Sequence, residues 1–264
     1  MPQLPISDLN DPRLFPYRDL TQRNLIRQSG LFIAEGEKVV ARLIASDFPV
    51  HSLVAVPEFA DRYAAKLPAE TPIYVVSPEF LQEVAGFQFH RGVLACGRRR
   101  PWPSLVELVG NEPRQTWVVC PNVQDPTNLG AILRSCRGFG VSGVILGNES
   151  ADPFSRRVLR VSMGAVFQLP IIETHHLAEP LRELQTELGF ELVATVLDAA
   201  AEPLTNFVRA SRTALFFGSE GHGLGENWIN ACPRKVTLPM SGGCDSLNVA
   251  VAAGVFLYHF CRVS

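Results

Sequence analysis

The chain has 264 residues, 47% of them hydrophobic, which is enough to bury a sizeable core in one large domain or two modest ones. Its formal net charge of −2 gives no overall basic surplus of the kind that marks many nucleic-acid binders. The six cysteines are scattered and form no CxxC pair, which argues against a zinc site or a disulfide framework and favours reduced thiols in a cytoplasm.

The first hundred residues alternate helical and strand patterns. They begin without a basic start followed by an apolar run, so no secretory signal is expected. Residues 36–46 have the spacing of an amphipathic helix. Apolar runs typical of strands follow at residues 50–56, 72–77 and 91–97. The pattern predicts a small α/β unit.

An arginine run interrupts the chain and suggests a domain boundary. Arg98, Arg99 and Arg100 are followed by Pro101-Trp102-Pro103, a combination that breaks secondary structure. We therefore predict a first domain over residues 1–100 and a second over residues 101–264.

The second domain alternates strands and helices more clearly. Strands are predicted at residues 116–120, 141–147, 168–173, 191–197, 213–218 and 235–240. Helices are predicted from about residue 128 and at residues 156–167, 177–188, 224–230 and 247–260. The last of these is the most apolar stretch, but it is shorter than the roughly 20 residues of a membrane span, and we predict a buried helix. Strands flanked by helices imply an α/β fold with a largely parallel sheet.

Three loops follow predicted strands, where ligands bind in such sheets. In the first loop, Asn128 is predicted to cap a helix that begins at Leu129, and Gly130 just inside it favours close approach of another group. Arg134 follows one turn later, and helical side chains lean toward the N-terminus, so it can reach back toward the loop. On these residues alone, a capped helix with a surface arginine is the simpler interpretation.

The second and third loops are rich in small residues. Residues 218–225 hold four glycines, but their order differs from the dinucleotide-binding pattern, so an NAD-dependent oxidoreductase is not favoured. Glu220 among them either orients polar groups or is a solvated turn carboxylate. In the third loop Asp245 or Ser246 is predicted to cap the last helix, with Asn248 inside it. A buried asparagine there indicates either a specific hydrogen-bonding task or a structural network.

Together and in this order, the three loops resemble the motifs of the SpoU (TrmH-like) RNA 2'-O-methyltransferases of the SPOUT superfamily. The matching segments are residues 128–130 with Arg134-Ser135, residues 218–224, and residues 238–242 with 246–249. The N-terminal part is similar to the ribosomal-protein-like substrate-binding domain that many members carry, on residues 32–36 with Val39-Val40 and on residues 89–95.

The resemblance implies a trefoil-knotted methyltransferase domain that forms a homodimer through the knot. It implies S-adenosylmethionine as the cofactor, a ribose 2'-hydroxyl of RNA as the methyl acceptor, and no metal or membrane. The N-terminal domain favours ribosomal RNA over transfer RNA. The alternatives are a tRNA 2'-O-methyltransferase and a non-catalytic RNA-binding assembly factor with the same fold.

The resemblance also assigns roles to residues. Arg134 is the proposed central catalytic residue. Because arginine, with a pKa above about 12, is a poor general base, we expect Arg134 to bind the substrate phosphate and steer the hydroxyl. The residues expected to hold Arg134 and the nucleotide in place are Asn128, Glu220, Ser246 and Asn248. The cofactor contacts implied are Gly218, Leu238, Met240, Leu247 and the loop of Thr195, Val196 and Leu197.

Arginines are also the candidates for phosphate contacts outside this site. Of the 24 basic residues only three are lysines, and arginine forms the better fork for phosphate, although a genomic base-composition bias produces the same skew. The candidates are Arg98, Arg99, Arg100, Arg156 and Arg157. A solvated, charged helix face is the alternative for the arginines near residue 156.

Overall fold

The computed structural model describes residues 3–18, 29–86, 92–101, 103–241 and 246–263. The chain divides into two compact units, one of Met1–Pro101 with Phe154–Phe167 and one of Trp102–Pro153 with Gln168–Ser264. The domain division predicted between residues 100 and 101 stays a prediction. The grouping of Phe154–Phe167 with the first unit is a feature that the sequence patterns did not indicate.

The first unit is built on a five-stranded mixed sheet. Its strands are β1 Gln3–Pro5, β2 Leu31–Glu35, β3 Val50–Ala55, β4 Ile73–Val75 and β5 Val93–Arg98. They lie in the order β1-β4-β3-β5-β2, and β5 runs antiparallel to both of its neighbours. The helices between them are α1 Glu37–Ile44, α2 Pro57–Ala64 and α3 Pro78–Ala85. The helix and the three strands predicted for the first hundred residues are found here. Residue 91 of the third predicted strand lies outside the described residues, as do residues 89 and 90 of the segment that resembles the substrate-binding domain.

The second unit is built on a seven-stranded parallel sheet. Its strands are β6 Gln115–Cys120, β7 Gly143–Gly147, β8 Ile171–Thr174, β9 Glu191–Thr195, β10 Glu202–Pro203, β11 Arg212–Phe216 and β12 Arg234–Thr237. The helices after residue 101 are α4 Leu105–Val109, α5 Pro126–Phe139, α6 Arg156–Val161, α7 Ala178–Thr186, α8 Glu226–Ala231 and α9 Val249–Tyr258. Every strand pair is parallel, which confirms the predicted α/β fold.

The strand order of the second unit positions the loops of interest. The order is β10-β12-β9-β11-β6-β7-β8, so β12, β9, β11 and β6 are consecutive neighbours. Strands β6 and β7 are buried along their whole length, as expected for a sheet covered on both faces. Because parallel strands end at the same edge, the three loops predicted to form a site, which follow β6, β11 and β12, all leave that edge, and the end of β9 lies between the last two.

The segment Phe154–Phe167 completes the core of the first unit. The rings of Phe154 and Phe167 pack against those of Phe32 and Phe48, with centroid distances of 5.0 to 5.7 Å. The single helix predicted over residues 156–167 is wrong in length, since α6 ends at Val161. The backbone then turns left-handed at Met163 and Gly164, which interrupts the helix before a 3-10 turn.

The C-terminal helix α9 is only half buried, which corrects the buried helix predicted over residues 247–260. Ala253, Phe256 and Leu257 are buried, whereas Val251, Val255 and Tyr258 are 54%, 43% and 56% exposed. A helix that is apolar on all sides normally indicates burial on all sides, but here one stripe faces away from the core. In the described part of the chain, no helix has the length and hydrophobicity needed to cross a bilayer.

Candidate active site

The first loop starts helix α5 with a cap different from the predicted one. Asp125 is the N-cap, and its carboxylate accepts hydrogen bonds from the backbone N–H groups of Thr127 and Asn128, at 2.8 and 2.9 Å. Pro126 occupies the first helical position, where its missing N–H costs nothing. The prediction that Asn128 caps a helix beginning at Leu129 is therefore wrong, and the buried Asn128 side chain is free to bond elsewhere.

The third loop also corrects a predicted cap. Asn248 does not lie inside α9 but is its N-cap, and its Oδ1 accepts from the backbone N–H groups of Ala250 and Val251 at 2.9 and 3.3 Å. Ser246 lies two residues too early to be the cap, and Asp245 lies outside the described residues, as does Gly242. Asparagine is among the best capping residues, which explains why it stands here.

Asn128, Glu220 and Asn248 form a closed ring of hydrogen bonds, which we call the amide–carboxylate cluster. Asn248 Nδ2 donates to Asn128 Oδ1 at 3.0 Å and to Glu220 Oε1 at 2.8 Å. Asn128 Nδ2 also donates to Glu220 Oε1. One residue from each loop thus meets the other two, and the carboxylate requires that both amides turn their nitrogen toward it.

Arg134 lies on α5, six residues after Asn128 and therefore about 9 Å further along the helix axis. Its side chain is exposed and makes no hydrogen bond or ion pair with the described residues. Arg137, one turn further on, instead donates to Gln168 Oε1 at 3.3 Å. Because helical side chains lean toward the N-terminus, the donors of Arg134 point back along α5 toward the end of the helix that carries Asn128.

The second loop depends on a glycine at its base. Ser219 and Gly223 exchange backbone hydrogen bonds of 3.0 and 2.9 Å, so the loop folds back on itself. A Cβ on the buried Gly218 would collide with the backbone of Gly223 and Leu224, so no other residue fits there. This tight base presents Glu220 and His222 at an exposed tip.

The residues implied for cofactor binding lie at the ends of β9, β11 and β12 and just before the Asn248 cap of α9. Met240, Leu247 and Leu197 expose their apolar side chains to solvent, while Leu238 is half-buried. Thr195 Oγ1 donates a hydrogen bond to the carbonyl of Phe216 at 2.6 Å, and the backbone N–H of Val196 donates to the carbonyl of Val236 at 3.0 Å. These two bonds tie the loop to the sheet. Exposed apolar side chains beside a tight glycine loop suit an adenosyl group, so the residues present fit S-adenosylmethionine.

Two residues lie at or just after the end of β6, and one of them offers a hydrogen-bond acceptor to a ligand. Asn122 has a buried Oδ1 with no hydrogen-bond partner among the described residues, an acceptor that a ligand donor would satisfy. Sequence reasoning missed it, although its position directly after a predicted strand was a usable signal. Burial raises the pKa of the Cys120 thiol to about 12, which keeps it protonated and unreactive. No metal-binding group of His, Cys, Asp and Glu side chains occurs in the described ranges.

The predicted RNA-binding arginines all belong to the first unit, and they differ in their surroundings. Arg98 and Arg157 are exposed. Arg99 and Arg100 lie over the rings of Phe154 and Phe48, each 4.8 Å from the ring centroid. Arg156 is only 22% exposed and donates to Glu35 Oε2 at 2.9 Å. Contact of these residues with RNA stays a prediction, for which Arg98 and Arg157 are the more accessible.

Two family models match the chain. Residues 115–258 match the SpoU rRNA Methylase family, and residues 12–95 match the MRM3-like substrate binding domain. The first match covers the seven-stranded sheet and all three loops of the site. The second covers most of the first unit.

Similar proteins carry the same assignment over most of their length. An uncharacterized tRNA/rRNA methyltransferase of Mycobacterium bovis is 37% identical, over 97% of this chain and 91% of its own. A 23S rRNA (guanosine-2'-O-)-methyltransferase RlmB of Acinetobacter baylyi is 32% identical over 70% of this chain and 76% of its own. The AdoMet-bound rRNA methyltransferase from Sinorhizobium meliloti superposes with a TM-score of 0.85 at 29% identity, covering 98% and 97% of the two chains.

These matches confirm the predicted fold class and the predicted class of enzyme, a methyltransferase that acts on RNA and uses S-adenosylmethionine. They do not test the roles of single residues, which therefore stay predictions. The family match spans more than half of the chain and contains the amide–carboxylate cluster, Arg134 and Gly218. The chain belongs to the SpoU rRNA Methylase family.

Proposed function

We propose that the chain transfers the methyl group of S-adenosylmethionine to a ribose 2'-hydroxyl of ribosomal RNA. The observation that carries this proposal is the amide–carboxylate cluster, in which residues of the three loops close one hydrogen-bonded ring at the start of α5, the helix that also carries the exposed Arg134. The RlmB relative is named as a 23S rRNA methyltransferase, which supports ribosomal RNA, while the Mycobacterium relative is named for both tRNA and rRNA. Transfer RNA is therefore the second candidate substrate.

The proposed assignment of the two domains follows the family matches. We assign residues 1–100 to the domain that binds substrate RNA and residues 101–264 to the SPOUT methyltransferase domain, in agreement with the matched ranges. The family resemblance further implies that the chain after the second loop threads a trefoil knot. The bacterial RlmB relatives are named as 23S rRNA methyltransferases, which supports a cytoplasmic location.

The proposed homodimer uses the knotted domain. The open stripe of Val251, Val255 and Tyr258 on α9 supports it, since contiguous exposed apolar residues mark interaction surfaces. Sedimentation of the full chain tests this arrangement, and replacement of Val255 by Asp is expected to shift dimer to monomer. A chain that sediments as a monomer at micromolar concentration contradicts it.

In the proposed mechanism the protein positions the reactants. S-adenosylmethionine, when bound, supplies an electrophilic methyl group, and the residues that hold it are Gly218, Leu238, Met240, Leu247 and the loop Thr195, Val196 and Leu197. The 2'-hydroxyl oxygen has to approach that methyl in line while it loses its proton. Arg134 binds the neighbouring phosphate with two parallel N–H donors and so steers the hydroxyl.

The amide–carboxylate cluster fixes the surroundings of that nucleotide. Two amides hold Glu220 Oε1, so the carboxylate keeps one orientation while its charge remains available to Arg134 or to a hydroxyl of the substrate. Ser246 is exposed just before the α9 cap and adds a hydroxyl at the mouth of the site. Such preorganised polar groups lower a barrier because they need no rearrangement during the reaction.

Calorimetry and methyl transfer test the proposal. The full chain is titrated with S-adenosylmethionine and then incubated with the tritiated cofactor and either total ribosomal RNA or total transfer RNA from a deletion strain. We expect cofactor binding and label in one ribosomal nucleotide as 2'-O-methyl ribose. If the cofactor does not bind, the chain is instead a non-catalytic RNA-binding assembly factor. If label appears only in transfer RNA, the substrate is transfer RNA.

A further inference from the structure

The first unit contains a cavity of about 690 Å³ that the proposed chemistry does not use. It opens among the N-termini of α1, α2 and α3 and is also lined by Arg160 and Met163 from the segment that follows α6. Its volume lies in the range of small-ligand sites. The cavity is therefore completed by residues that the family models divide between two domains.

Of the charged side chains that line the cavity, the carboxylates have ion-pair partners, whereas one lysine has none among the described residues. Glu35 is 4% exposed and faces Arg156 and Arg160, at 2.9 and 3.9 Å. Glu37 is paired with Arg62. Lys38 is exposed, lines the cavity and has no hydrogen-bond or ion-pair partner among the described residues. The lining carboxylates are thus paired with arginines, while one lysine remains to meet an anion.

The start of helix α1 adds donors to Lys38. The N-cap is Gly36, with φ of 85°, and it provides no side-chain oxygen for the first-turn N–H groups. Uncapped N–H groups at a helix start, together with the helix dipole, favour a negative group. Gly36, Glu37 and Lys38 all line the cavity, so the free donors and the free ammonium lie at the same place.

The cavity wall is apolar and includes one aromatic ring. Phe59 is half-buried, and the Arg62 guanidinium lies 4.8 Å from its ring centroid. The ring lies so close to the backbone of Gly92 that a Cβ there would collide with it. Leu81 and the half-buried amide of Gln82 stand on α3. An apolar wall with one ring and one amide suits a nucleobase, which offers flat apolar faces and a hydrogen-bonding edge.

Met163 closes one side in an unusual backbone conformation. Its φ of 55° makes it the sole non-glycine residue with positive φ in the described ranges, and Arg42 of α1 donates to its carbonyl. A bulky residue held in the left-handed region is strained, and such strain concentrates at functional sites. The strained turn places the Met163 side chain in the cavity wall.

We propose that this cavity binds one unstacked nucleotide of the substrate RNA, with the base against Phe59, Leu81 and Gln82. The phosphate meets Lys38 and the first turn of α1. The proposal rests on the proposed RNA substrate and gives the first unit a specific task, capture of a base that is not the methylated one. A free mononucleotide shares this chemistry, so the experiment separates the two sources.

Two variants of the full chain test the cavity. Lys38→Ala removes the ammonium group, and Gln82→Trp fills the cavity with an indole ring. We expect each to weaken binding of labelled ribosomal RNA from a deletion strain about tenfold in a filter assay, as lost phosphate and stacking contacts do. The KM for RNA should rise equally, with kcat and the cofactor Kd unchanged within twofold.

Matched variants control for charge and bulk. Lys66→Ala removes an exposed lysine of the same unit outside the cavity, and Glu83→Trp adds an indole one residue along α3 while removing a negative charge, which favours RNA. Both should bind RNA as tightly as the parent chain or more tightly. If the cavity variants match these controls, the proposal is wrong.

The remaining arms separate this proposal from others. Because filter binding needs no methyl transfer, loss of RNA affinity in the cavity variants supports the cavity even if the parent chain proves inactive. Titration with each of the four nucleoside 5'-monophosphates should show only millimolar binding that Gln82→Trp removes. Micromolar mononucleotide binding with unchanged RNA affinity in both variants overturns the proposal in favour of a free nucleotide.

Discussion

Glu220 in the second unit and Glu35 in the first are both carboxylates held by specific partners, but the partners differ in kind. Two neutral amides hold Glu220 Oε1, and Arg134, on the same helix as Asn128, remains exposed and unpaired among the described residues. Glu35 instead faces two arginines, Arg156 and Arg160. Neutral donors leave the charges of Glu220 and Arg134 available to a substrate, whereas the ion pairs use theirs within the fold. The comparison predicts chemistry at the first carboxylate and stability at the second.

The largest effect is expected at Arg134. Arg134→Ala should lower kcat for methyl transfer at least about a hundredfold, or about 3 kcal/mol, since preorganised charged donors contribute that much. RNA affinity should fall only a few-fold. Arg137→Ala on the same helix is the matched control, because it removes an equal charge that already bonds Gln168. Single-turnover transfer from tritiated S-adenosylmethionine measures both, and parent-like turnover by Arg134→Ala would show that the assignment is wrong.

The Glu35 side of the comparison is tested by stability. Glu35→Ala leaves Arg156 and Arg160 half-buried without their carboxylate, and we expect the free energy of unfolding to drop by about 2 kcal/mol. Glu37→Ala breaks the exposed pair with Arg62 and should cost less than about 1 kcal/mol. Urea unfolding followed by circular dichroism compares the two. Equal midpoints would remove the distinction between a structural ion pair and a surface pair.

A third change separates the two tasks of Asn248. Asn248→Asp keeps a good N-cap for α9 but replaces the Nδ2 donor with a second carboxylate oxygen beside Glu220. We expect kcat to fall about tenfold, while the free energy of unfolding changes by less than about 1 kcal/mol. Asn248→Ala should lose both activity and the cap. Unchanged kcat in Asn248→Asp would mean that the cluster is a structural network only.

Local patterns predicted the elements well but not the partners of their polar residues. The alternation of strands and helices appeared in the sequence because the parallel sheet is covered on both faces. The caps were misplaced by a few residues, since Asp125, Asn128, Ser246 and Asn248 are all plausible capping residues. The hydrogen bonds that join the amide–carboxylate cluster span 28 to 120 residues, and no local pattern contains them.

The first unit shows a second limit of sequence patterns. The helix α6 and its following turn lie between strands of the second unit in the sequence, yet they pack on β2 of the first. One contact in that placement is the pairing of Glu35 with Arg156, two residues 121 positions apart. The partial exposure of α9 could not be predicted from the sequence either, because the pattern shows which residues are apolar but not which neighbouring element covers them.

The smallest effect is expected at Met163, where stability and RNA binding should change in opposite directions. Met163→Gly relieves a left-handed conformation that costs about 1 to 2 kcal/mol, an amount that the greater entropy of glycine in the unfolded chain partly cancels. The Met163 carbonyl that accepts from Arg42 is retained in the variant. The free energy of unfolding should therefore stay the same or rise by up to about 1 kcal/mol.

Loss of the Met163 side chain opens the cavity wall and should raise the KM for RNA a few-fold. Gly164→Ala is the reciprocal control, because it forces a side chain into a φ of 76° and should destabilise the turn. Urea midpoints and the RNA KM are measured for both variants. A Met163→Gly chain that gains stability without losing RNA affinity would mean that the strained turn serves the fold of the first unit and not a nucleotide in its cavity.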